Sequence, residues 1–544
     1  MVARAIAQSI AKPVATALDG GVSSGVYLTA DEFEALTSYD ADTRYIVEGY
    51  GTYLGPTLIE AAEWEPAVTD YHVTKSGNDT TGDGSQGNPW LTIWKAFNTV
   101  STSNATPVTI WVDAGTYTEN AASGYLLFTK AFLNRVTVRG KPGTRPIVIN
   151  SSGSYVIRPN TTSGNIRFQN LEIQSTSGVV GFVHFSGTAL TNFDVVDCVF
   201  TDTNSKTGSF SMVGTSHDNV GVKRCIFTSA GAFEITISNA TNFRVVGNDR
   251  SGVSVAHNIS VSGTGYVTSN TGAKTAISLT GRTASYKAEI VVRYNTARNV
   301  VHTGGNASFR SLLNIDENTL VTTSGVKGVS IQGVTQYGTC NDNDVTSLGV
   351  VGIAWPDDGG SFTCTEHEIK RNTVVNTGTN GHAILVSTGS EDVVVEGNTT
   401  NASGGGNYAL VLKGTSNSVT GNTFTGGAAN GILIKDASEC VVTDNVVYSA
   451  GAAAIALEFS PGAIAPESCT VTGNTFHVSG GNLYSQLLAN IGAGNIVNNN
   501  RYLITGTGVW GALLGATVSS LANVRTRWST QYDVTTNDNA STDS

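Results

Sequence analysis

Charged side chains are scarce in this sequence: they make up 13% of 544 residues, and Lys and Arg never gather into a long run. With a formal net charge of −11 and a pI near 5.2, the chain is poorly suited to neutralising phosphates, so no nucleic-acid partner is expected. Long apolar runs are missing too. Residues 1–20 carry Ile6, Ile10, Val14 and Leu18 at helical spacing without a signal-length apolar stretch, and Val509–Val518 is too short and glycine-rich to cross a bilayer. Neither cleaved-signal secretion nor membrane insertion is expected. The six cysteines form no CxxC pair and read as reduced packing residues. His302, His367 and His382 lack HxH or HExxH spacing, and Asp79 and Asp83 in GNDTTGDGS lack a twelve-residue acidic calcium pattern. No metal and no cofactor is therefore expected. A P-loop is absent, which removes the usual sign of phosphoryl-transfer chemistry.

What abounds is glycine, 62 of them, among Ser, Thr and Asn, arranged in repeats: DENTLVT, KRNTVVN, EGNTTNA, TGNTFTG, TDNVVYS and TGNTFHV. The Asn of each phrase falls in one series with Asn343 and Asn499: Asn318, Asn343, Asn372, Asn398, Asn422, Asn445, Asn474 and Asn499 are separated by 25, 29, 26, 24, 23, 29 and 25 residues. The same phase runs back through Asn295, Asn270, Asn248, Cys225, Cys198 and Leu171. A period of about 25 residues marks a solenoid. Between the markers, GILIKD, AIALEF, HAILVS and YALVLK alternate as strands with one buried face. The predicted fold is all-β: a right-handed parallel β-helix of about fourteen coils with a small N-terminal segment. The marker Asn is expected to sit at a bend in a left-handed conformation, its amide bonded to the coils before and after. Asn88–Val100, with Ile93, Phe97 and Val100 at helical spacing, is the expected N-terminal cap, and the tail TTNDNASTDS is expected to be weakly ordered.

YHVTKSGNDTTGDGSQGNPWLTIWKAFNTV followed by VTIWVDAGTYTEN resembles the opening of pectate-lyase-like β-helix proteins, a group that includes lyases, hydrolases, esterases and inert adhesins. Residues 27–59, YLTADEFEALTSYDADTRYIVEGYGTYLGPTLI, resemble a short module of phage tail and fibre proteins. The second resemblance implies a bacteriophage tailspike in the virion tail, a homotrimer joined through its N-terminus to other tail or baseplate proteins and directed at bacterial surface polysaccharide. The implied organisation is an anchor-like segment at 1–26, a small tail-protein-like module at 27–70, the β-helix with its capping helix at 71–500, and a strand segment with a polar tail at 501–544.

Two coils are longer than average, at GIAWPDDGGSFTCTEHEIKRN and AIALEFSPGAIAPES, and both insertions follow the same strand. Glu366 and Asp392 each lie six residues before a marker Asn, in equivalent slots one strand spacing apart. Two such carboxyls would split their pKa values into an acid and a base, as glycosidic cleavage requires. Asp357 and Asp358 beside Trp355 form a second catalytic candidate, with an exposed indole to stack on sugar. Lys413, Lys435 and Glu458, read as equivalent outward positions, and His382 are candidates for substrate binding. All of these residues also have a plainer reading as solvated turn or surface groups. The expected function is polysaccharide binding with cleavage by acid–base chemistry, hydrolysis before elimination. A fibre or adhesin that only binds, and a free polysaccharide lyase, are the alternatives.

Overall fold

Each repeat closes into one coil of three parallel faces. In a computed structural model, the coil after Asn372 supplies His382–Val386 to face I, Ser390–Glu391 to a short corner strand, Val394–Glu396 to face II and Thr399–Ala402 to face III. The next coil lies in register beneath it: Ile384 opposes Leu410, Val395 opposes Val419, and Thr400 opposes Phe424. The chain is thus a parallel β-solenoid with almost no helix. The structure describes residues 26–28, 44–47, 51–54 and 57–61, most of 69–517 apart from short breaks of which 356–363 is the longest, and residues 520, 522 and 542–543.

Two compact units divide the chain: Met1–Thr69 with Ala105–Val108, and Asp70–Asn104 with Thr109–Ser544. In the first, Val26–Leu28 pairs parallel with Arg44–Val47, which continues antiparallel through Gly51–Leu54 to Thr57–Ala61. The second holds the coils. Its helix Ile93–Thr99 buries Ile93, Ala96 and Phe97. Asp79 accepts the N–H groups of Leu91 and Thr92, and Glu119 those of Ile93 and Trp94, so both acids serve the helix start.

Inward side chains such as Ile384, Leu410, Val395 and Phe424 are fully buried, each stabilising the core by about 1.5–3 kcal/mol. The marker column runs as a continuous hydrogen-bonded ladder. Asn372 Nδ2 donates to Asn398 Oδ1 at 2.9 Å and to Cys340 O at 2.7 Å, while its own Oδ1 accepts from Asn343 N and Nδ2, both at 2.9 Å. Two expectations about the ladder need correction. The last marker is Asn500, which accepts from Asn474, and not Asn499. The left-handed residue is the one before each marker, for example Glu317 (φ 57°), Arg371 (54°) and Asn499 (53°). The bend therefore falls one position earlier, on an outward residue that can be of any type, and the Asn is selected for its inward amide. Left-handed, laddered asparagines do occur elsewhere. Asn165, Asn192 and Asn219 have φ of 50–58° and link amide to amide at 2.6 and 2.7 Å, at the bend where faces I and II run together.

Of the polar tail, Thr542 and Asp543 are among the described residues. Thr542–Asp543 pairs in parallel with Arg501–Tyr502, covering what would otherwise be an open strand edge.

Candidate functional site

On face I the chain rounds a bend at the second residue of each strand, so two successive side chains point inward before alternation resumes. Ala383 and Ile384, for example, are both fully buried. The outward side chains then form three columns. The first runs Val351, His382, Tyr408, Asn430. The second runs Ala354, Leu385, Val411, Leu433, Glu458. In the third, Lys435 opposes Ser460, and Lys413 follows Leu412 as Lys435 follows Ile434. Lys413 and Lys435 therefore share a column, but Glu458 does not. Its register partner is Leu433, because the face I strand of the longer coil begins at Ile455, and Glu458 is two residues short of Lys435's column.

That offset places Glu458 at the end of an apolar outward strip made by Val351, Ala354, Leu385, Val411 and Leu433, with Tyr408 packed against it. Glu458 is 2% exposed. Burial raises its pKa above the usual carboxylate range, opposed by the Tyr408 hydroxyl and the Lys435 charge. The Tyr408 hydroxyl donates directly to Glu458 Oε2. Burial raises the tyrosine's pKa in turn, and the neighbouring carboxyl adds to the shift. The His382 ring lies 5.7 Å from that of Tyr408, and its Nδ1 accepts the Tyr408 backbone N–H at 3.4 Å. Two residues singled out from sequence, His382 and Glu458, thus contact Tyr408, which sequence reasoning passed over, and a third, Lys435, acts on Glu458 through its charge. The signal was available, since Tyr408 opens the quoted strand YALVLK at the position His382 holds one coil earlier.

The remaining candidates are placed differently. Glu366 and Asp392 occupy equivalent corners, following the paired residues Thr365 and Glu391, and both are left-handed and exposed. Trp355 is not an exposed platform. It is fully buried, 4.9 Å from the His367 ring, and fits there because Gly338 has no side chain: a Cβ at Gly338 would come within 2.6 Å of the indole. Its Nε1 donates to Thr335 Oγ1 at 3.4 Å. Asp357 and Asp358 lie outside the described residues. Among the described residues no group of three or more His, Cys, Asp and Glu could hold a metal ion, and no helix is long and apolar enough to cross a membrane.

A family model described as a right handed beta helix region matches residues 327–502. No curated protein matches the chain. Solved structures similar to it include tailspike protein 3 of bacteriophage CBA120, at 13% identity and a TM-score of 0.34, covering 80% of this chain and 59% of that one. A rhamnogalacturonan lyase matches at 13% identity and a TM-score of 0.28, covering 61% and 82%. The Dettilon tailspike protein matches at 14% and 0.24, covering 80% and 68%. The chain thus spans 59% of the length of the CBA120 tailspike.

Proposed function

We propose that this right-handed β-helix protein is a tailspike that holds a bacterial surface polysaccharide against face I and breaks its glycosidic bonds by proton transfer through Tyr408 and Glu458. The observation that carries this reading is a buried carboxyl, its pKa raised by burial, bonded to a half-buried tyrosine hydroxyl on an outward face. Acids displaced in this way by their surroundings cluster at catalytic sites, where a proton must be held and released near neutral pH. Tyr408 would meet the glycosidic oxygen. In hydrolysis Tyr408 would pass its hydroxyl proton to the departing glycosidic oxygen and take one from the protonated Glu458 beneath it, while water adds to the anomeric carbon and the proton it releases restores the Glu458 carboxyl; Lys413 and Lys435 would attract anionic groups on the glycan. Virion attachment through residues 1–70 and a homotrimer complete the proposal, supported by the tail-protein resemblance of residues 27–59.

The test is incubation with a panel of defined bacterial capsular and lipopolysaccharide glycans, following reducing ends for hydrolysis and 235 nm absorbance for elimination. Product from the wild type and a loss of about 10²-fold or more in Tyr408→Phe and Glu458→Gln, with unchanged folding, is the expected result. Full activity in both variants would sink the assignment. The binding-only fibre or adhesin is favoured by one observation, the 2% exposure of Glu458. It predicts glycan retention without product in the wild type and both variants.

A further inference from the structure

Immediately past the third outward column of face I, the chain turns its first corner, and four successive coils leave a depression of about 300 Å³ there. Gly389 (φ 88°) and Gly414 (φ 85°) line it together with Ser390, Thr415 and Ser438, and a Cβ on Gly414 would come within 2.2 Å of the buried Ser390 Oγ. Glu391 stands on one side. Asp436 stands on the other, contributed by the coil two further on. Asp436 is there because of a bulge: Leu412 opposes Ile434 and Gly414 opposes Ala437, so Lys435 and Asp436 together face Lys413. The bulge turns Asp436 left-handed (φ 51°), and its Oδ1 is held by the Ile464 N–H at 2.8 Å. Ile464, 60% exposed, supplies an apolar wall.

We propose that this depression is a subsite for one unit of the glycan that crosses face I, and that it accepts a neutral or amine-bearing sugar and rejects a uronate. The inference rests on the glycan reading above. A pyranose presents an apolar C–H face and a rim of hydroxyl donors, which match the Ile464 wall and the two carboxylates. A third carboxylate brought between Glu391 and Asp436 would meet like charge from both sides, whereas a hydroxyl or ammonium would find acceptors there. The subsite is continuous with face I because Lys413 and Lys435 directly precede Gly414 and Asp436 in the chain.

The experiment sorts immobilised bacterial polysaccharides into neutral, amine-bearing and all-uronate repeats and measures binding by the full chain. The expected result is retention of a neutral or amine-bearing member and not of all-uronate ones, with the double variant Glu391→Gln, Asp436→Asn binding at least about fivefold more weakly. Ile464→Asp, on an exposed side chain, should weaken binding similarly without touching the carboxylates. Tightest binding to an all-uronate glycan, or unchanged affinity in both variants, overturns the subsite. If cleavage still depends on Glu458 in that case, the reading of face I stands. If no member is bound or cleaved, both fall together.

Discussion

At the scale of single residues, the interior of the solenoid asks for an acceptor at each corner, and different side chains meet that demand. At the second corner it is the marker Asn. At the first, Asn417 accepts the Val393 N–H, Asn495 that of Cys469, and His367 Nδ1 that of Gly338 at 2.8 Å. His367 therefore acts as an asparagine substitute, with Nε2 3.0 Å from Thr335 Oγ1. Burial pushes its pKa down to about 4, and the same holds for His217 and His302. The folded state then binds the proton more weakly than the unfolded chain. The stability contributed is complete above pH 6.5 and is lost as pH falls toward 4. Urea denaturation from pH 7 to 4 should show a marked loss of stability that His367→Asn reduces, and an unchanged pH dependence in that variant would contradict this account. For the ladder itself, Asn372→Ala would orphan the Asn343 N–H and the Cys340 carbonyl and should cost about 2–4 kcal/mol in the same measurement.

At the scale of elements, the helix Ile93–Thr99 is only seven residues long, and its start depends on Glu119. Burial pushes the Glu119 pKa up to about 7, against the two backbone N–H donors that lower it. This contribution is present below the ordinary glutamate pKa of 4.5 and is lost as pH rises through 7. Hydrogen exchange of the 90–100 segment should quicken between pH 5 and 8 beyond its intrinsic rate, and Glu119→Gln should flatten that dependence. The helix was legible in sequence because Ile93 and Phe97 keep helical spacing. Its dependence on Glu119 was not, because 26 residues and two strands separate the acid from Ile93. The same distinction explains the candidate site. Periodic residues such as the marker asparagines announce their partners. The Tyr408–Glu458 contact spans 50 residues, and the coil lengths between them differ enough that counting from the markers put Glu458 in the wrong column.

At the scale of the whole molecule, the repeat makes coils interchangeable where no function sits. Asp249 opposes Thr271, so deleting residues 249–270 joins Asn248 to Thr271 and removes one coil in register. That variant should keep its far-UV circular dichroism and its glycan behaviour, whereas deletion of 249–259 alone should not fold, since half a coil puts inward side chains outside. All six cysteines are buried thiols outside any disulfide, so a thiol reagent should label none in the native chain and all six in denaturant.

The corner ladder also has a direction. Each marker gives its backbone N–H and one amide hydrogen to the oxygen of the following marker and takes the same pair from the one before. The two terminal surfaces of such a stack are consequently unlike, one ending in hydrogen-bond givers and the other in takers. Growth by adding another turn at the tail continues the pattern, whereas abutting two identical termini sets like against like, a built-in bias against mirror-wise pairing of copies.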